Sequence, residues 1–183
     1  VTQATLKVVG AFHGLSRERS DARKYPAVHP LESWTKYSSP IDGKKVAYAK
    51  DIMFRGNEVS QMMKVVGEEG TSLDDYIIYL KSELIDSVYL QQNSFDPVDF
   101  AAPIDRQIIV FDQLFSVLGS NLKLEDKKAA RAFINEIRQK FIDWNNTPRE
   151  DERFELFKKE IQETVATQFE SYEKRAQKIL SSK

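Results

Sequence analysis

Through the second two-thirds of this 183-residue chain, apolar residues recur at three- and four-residue spacing, the period of an amphipathic helix. Ile52, Met53, Met62, Met63, Val65 and Val66 mark a helix over residues 46–66 that stops at Gly67. Gly67-Glu68-Glu69-Gly70 reads as a turn, and Ser72-Leu73-Asp74-Asp75 has the form of a capping box opening the next helix. That helix places Ile77, Leu80, Leu84 and Val88 on one stripe and ends near Gln91-Gln92-Asn93, before Pro97. A third stripe, Ile104, Ile108, Phe111, Phe115 and Leu118, closes at Gly119. A fourth, Ala130, Phe133, Ile137, Phe141 and Trp144, ends at Asn145-Asn146-Thr147-Pro148. The last helix opens near Arg149 and carries Phe154, Phe157, Ile161, Val165, Tyr172 and Ile179.

The first forty residues break this pattern. They hold Pro26, Pro30 and Pro40, and the run Leu6-Lys7-Val8-Val9 could open a strand or a helix. Tyr25-Pro26-Ala27-Val28-His29-Pro30 reads as extended loop, because each proline moves its predecessor out of the helical region. The expected fold class is mainly α: residues 1–40 as one unit and residues 41–183 as a C-terminal helical bundle.

Composition then excludes several chemistries. With 27 basic and 28 acidic residues the net charge is −1, so no overall basic field favours nucleic acid or an anionic membrane. No run approaches the ~20 apolar residues of a spanning helix, so no direct membrane insertion is expected. There is no cysteine, which removes disulfides, thiol nucleophiles and thiolate metal sites. His13 and His29 lack the spacing of a helical zinc pair, and no metal site is expected. Gly43-Lys44-Lys45 falls short of a P-loop, lacking the upstream glycine and the hydroxyl. No nucleophile elbow occurs either. No catalytic residue is assigned, and the chain alone is expected to be inactive. The absence of an opening methionine gives the expectation of a segment from a longer protein.

Two motifs add a resemblance. Arg23-Lys24-Tyr25-Pro26-Ala27-Val28-His29-Pro30-Leu31-Glu32-Ser33 resembles the loop after the nucleotide-binding domain in rotary ATPase catalytic subunits. Tyr89-Leu90-Gln91-Gln92-Asn93-Ser94-Phe95-Asp96 is similar to the Phe-Leu-Gln-Gln-Asn-x-aromatic segment of the catalytic A (alpha) subunit of V/A-type rotary ATPases. Val1-Thr2-Gln3-Ala4-Thr5-Leu6, Ser33-Trp34-Thr35-Lys36-Tyr37-Ser38 and Met62-Met63-Lys64-Val65-Val66-Gly67 resemble further family stretches in the same order. Specific motifs run from Val1 to about Pro103; beyond it only the helical pattern matches. The family usually has a longer stretch between Ser39 and Asn57, and Pro30-Leu31-Glu32-Ser33 looks more like the F-type version.

The resemblance implies that residues 1–40 end a nucleotide-binding domain and its junction loop. It implies that Tyr25 and Phe95 face an adenine ring from two sides, with Gln92 as a polar neighbour and Tyr89 as core or pocket. It implies that Glu68, Glu69, Thr71, Ser72, Asp74 and Asp75 form an acidic tip against a central rotor shaft. ATP or ADP with Mg would bind the full subunit and not this fragment. Partners would be B subunits in a hetero-hexamer and the shaft, on the cytoplasmic side, peripheral to the membrane through the whole ion-transporting complex. The alternative is a free-standing helical adaptor without nucleotide binding, which leaves the two aromatic loops unexplained.

Overall fold

The structure is a computed structural model that describes the backbone of residues 3–181 and the side chains of residues 5–168. Helix α1 (Gln3–Val8) decides the ambiguous first run in favour of a helix. Strands β1 (Ala11–Phe12) and β2 (Trp34–Thr35) pair antiparallel, Ala11 opposite Thr35 and Phe12 opposite Trp34. Between them lie α2 (Arg17–Asp21), capped by Ser16, and the proline loop, whose Tyr25-Pro26 bond is cis.

The bundle opens with α3 (Gly43–Val66), which begins at Gly43 rather than Val46 because the Asp42 carboxylate accepts from Lys44 N at 2.8 Å. Gly67, at φ 78° and ψ 165°, ends it in a region open in practice only to glycine. The chain then reverses into α4 (Leu73–Ile85). A Cβ at Gly56 would lie 2.3 Å from the Ser82 Cβ, so glycine is what lets α3 and α4 approach so closely. Helix α4 runs on into a π-helical turn (Asp86–Leu90), closed by Gln91 N donating to Asp86 O at 2.9 Å.

Helices α5 (Ile104–Gly119), α6 (Lys127–Asn145) and α7 (Arg153–Ser181) complete the bundle. Two expectations change here. The buried face of α5 is Arg106, Val110, Phe111, Gln113, Leu114, Val117 and Leu118, while Ile104 is exposed and Ile108 and Phe115 are half-buried. The helix is turned so that the Arg106 guanidinium faces inward, donating to Trp144 O, Asn145 O and Thr147 O at and just beyond the end of α6. Helix α7 begins at Arg153, not Arg149, because Pro148–Asp151 forms a turn and Asp151 accepts from Arg153 N.

The core gathers the predicted stripes: Leu80, Leu84, Val88, Ile137, Phe141 and Ile161 are buried, with Trp144 between Phe141 and Phe154 at ring separations of 5.9 and 5.1 Å. The side chains of Tyr172 and Ile179 lie outside the described residues.

Candidate functional site

Helix α4 and its π-helical turn carry a candidate site at each end. At the far end, beyond Leu90, two loops meet. Gln92 N donates to Tyr25 O at 2.7 Å, so the proline loop and the Gln-Gln-Asn segment are joined backbone to backbone. Around that bond lies a cavity of about 330 Å³ lined by Arg23, Tyr25, Gln92, Phe95, Asp99 and Asn145, among others. Tyr25 is 48% exposed and Phe95 is 96% exposed. Phe95 therefore does not pack a junction within this chain. Its backbone is held instead by an Asx turn, Phe95 N donating to the Asn93 side chain at 3.1 Å.

Gln92 is committed locally, its amide donating to Asp99 O at 3.1 Å. Tyr89 packs against Phe111 at 5.0 Å and lines a second cavity, of about 240 Å³, with Gln92, Asp99 and Arg106. It packs against the core, and the cavity it borders is separate from the one lined by Tyr25 and Phe95. Burial pushes its phenol up to about 12, aided by Asp112.

Sequence reasoning assigned no role to five residues at this end. Asp99 lines both cavities and accepts from Asn93 N at 2.6 Å; burial raises its carboxyl above the usual range. Arg106 lines the second cavity, and burial lowers its guanidinium. Asp86, opening the π-helical turn, receives Arg19 Nη1 and Lys24 Nζ from the N-terminal segment. Arg19 and Asp86 are 67 positions apart, and no local pattern announces such a pair.

At the near end, the acidic turn is well defined. Ser72 caps α4, its hydroxyl accepting from Asp75 N at 3.1 Å and donating to the Asp75 carboxylate at 2.7 Å. Thr71 turns inward, buried, and donates to Gly67 O at 3.2 Å. Glu68, Glu69 and Asp74 are exposed. Helix α6 braces this turn: Lys127 donates to the carbonyls of Glu68 and Glu69, and Arg131 pairs with the Glu68 carboxylate at 3.4 Å. Arg131 also donates to the Tyr76 hydroxyl at 2.7 Å. Of the acidic residues, Glu69 and Asp74 have exposed side chains outside these ties, Glu69 being held only through its carbonyl, while the Glu68 carboxylate is shared with Arg131. The basic partners Lys127 and Arg131 were not legible, lying about sixty residues downstream.

Among the described residues no group of three His, Asp or Glu could hold a metal ion, and no helix is long and apolar enough to cross a membrane.

Comparison with known proteins shows what this chain is similar to. Residues 45–118 match the model of the C-terminal domain of V and A type ATP synthase. The chain is 61% identical over 154 residues to the V-type ATP synthase alpha chain of Borrelia hermsii, covering 84% of this chain and 27% of that protein. It is 53% identical over 180 residues to the alpha chain of Treponema denticola, covering 98% of this chain and 31% of that one. The likeness therefore continues past Pro103 into α6 and α7, where motifs alone had run out. The chain spans about 30% of the length of the curated relatives it matches. Among solved structures, a unique ATP synthase subunit NeqB from Nanoarcheaum equitans shares the fold, with a TM-score of 0.53 at 19% identity, over 63% of this chain and 30% of that one.

Proposed function

This chain belongs to the V- and A-type ATP synthase family and carries its C-terminal domain, and from that premise we propose that it completes the adenine end of a nucleotide site. The phosphates and Mg are held by other parts of the longer protein. The observation that carries this reading is that Tyr25 and Phe95, on loops far apart in the sequence, line one cavity with largely exposed rings. A volume of about 330 Å³ falls within the ~300–1,000 Å³ of small-molecule sites. A flat, polarizable base suits two such rings, and the Gln92 side-chain oxygen, opposite the amide that donates to Asp99 O, supplies a polar edge.

Magnitude limits what the cavity does by itself. Stacking contributes ~1–3 kcal/mol per base, whereas a millimolar complex needs about −4 kcal/mol. The chain alone is therefore expected to bind ATP no tighter than ~100 μM, and calorimetry reads this directly. In the assembled enzyme, Tyr25→Ala and Phe95→Ala are each expected to raise the KM for ATP about tenfold with kcat little changed. An unaltered KM in both variants overturns the reading.

The acidic turn at the other end of α4 is the surface that presses on a central shaft. Glu69 and Asp74 offer charge outward, Glu68 and Asp75 flank them, and Thr71 and Ser72 hold the turn's shape. Replacing Glu68, Glu69, Asp74 and Asp75 with Ala in the full assembly is expected to lower the ions moved per ATP; unchanged coupling counts against contact by charge. In this reading the partners are B subunits and shaft subunits, in a complex peripheral to the cytoplasmic face of the membrane.

A further inference from the structure

We propose that Asp86, gripped by Arg19 and Lys24, is a positioning residue for the adenine site: an ionic clamp that sets the Tyr25 loop against the end of α4 so that both rings border one cavity. The inference rests on the base-pocket reading above.

Neither ring-bearing loop is placed by burying its own side chains. No residue from 22 to 33, and none from 91 to 103, is buried. Polar ties therefore hold these loops: Ser16 N donates to Ala27 O, His29 N to Gly14 O and Gln92 N to Tyr25 O, and an ionic group ties the Tyr25 loop to the end of α4. The Asp86 carboxylate takes Arg19 Nη1 and Lys24 Nζ. The same Arg19 guanidinium reaches Pro26 O through Nε at 3.4 Å and Leu90 O through Nη2 at 3.4 Å. One side chain, only 8% exposed, thus touches the residue after Tyr25, the start of the π-helical turn and its last residue. Lys24 N closes the loop by donating to Arg19 O at 2.8 Å. The π-helical turn itself fits this role. It widens the end of α4 and presents Asp86 toward the N-terminal segment, while delivering Gln91 and Gln92 to the cavity rim. A charge-assisted network in a mostly desolvated place holds direction better than a solvated pair.

The test is ATP and CTP hydrolysis by the assembled enzyme. Asp86→Asn is expected to raise the KM for ATP about tenfold, with kcat retained and with discrimination against CTP narrowed, because the rings lose their common orientation. Arg19→Gln should do the same and Arg19→Lys should restore most of the loss. Lys24→Gln, at the solvent side of the clamp, should give about a threefold rise and covers the case in which Asp86→Asn does not assemble. Glu160→Gln, which cuts an ion pair between α6 and α7, is the control and should leave KM unchanged. If Tyr25→Ala raises KM while the clamp variants do not, the clamp is refuted and the pocket stands. Equal losses for ATP and CTP, or a fall in kcat alone, make the clamp a scaffold contact only and refute it. If neither Tyr25→Ala nor the clamp variants move KM, pocket and clamp fall together.

Discussion

The two ends of α4 are built by opposite means. At the acidic turn, the helix start is written within four residues: Ser72 caps Asp75 N, and Gly67 stops the preceding helix. At the other end the helix loosens into a π-helical turn, and its Asp86 carboxylate is bound by Arg19 and Lys24, which arrive from more than sixty positions away. The near end is stiffened further by Lys127 and Arg131 of α6, but it would exist as a turn without them. The far end instead draws its partners from distant elements: Arg19 and Lys24 on Asp86, Asn145 on Val88 O and Phe111 against Tyr89.

This contrast can be broken at several strengths. Leu84→Ala, fully buried between the two ends, should cost about 2–5 kcal/mol by urea unfolding and loosen both ends together. Asp86→Ala should cost about 3 kcal/mol, because it strands the buried Arg19 cation, and should leave the acidic turn intact by amide exchange. Ser72→Ala should cost about 1 kcal/mol and fray the start of α4 without touching the Tyr25 loop. Glu68→Gln should cost less than about 1 kcal/mol, since both Glu68 and Arg131 are largely solvated.

The smallest effect is a slope rather than a midpoint. Burial raises the folded-state pKa of Asp99 above its unfolded value, so in that window the folded chain binds more protons than the unfolded one. The contribution of Asp99 to stability is present at low pH and is lost as pH rises through its raised folded pKa. Asp99→Asn should remove that decline from the stability–pH curve, whereas Asp74→Asn at the other end serves as its comparison.

Much of the bundle was legible because helical periodicity is a local property. The stripes through Leu80 and Leu84, through Ile137 and Phe141, and through Phe154 and Ile161 all reached the core. The stripe in α5 came out turned because Arg106, polar by sequence, occupies a core position once the carbonyls ending α6 are there to receive it. Helix α3 starts earlier than its apolar pattern because the Asp42 cap carries no apolar signal, and α7 starts later than Arg149 because Asp151 N bonds back to Pro148 O in a turn.

The residues of this chain by themselves determined its helices, most of its core, its acidic turn and the two aromatic loops, since each is set by neighbours a few positions apart. Only the tertiary structure decided that Tyr25 and Phe95 border the same cavity, that Asp86 is bound by Arg19 and Lys24, and that α6 braces the acidic turn. Those facts depend on pairs separated by scores of residues, and such pairs acquire a geometry only when the packed helices have brought their backbones together.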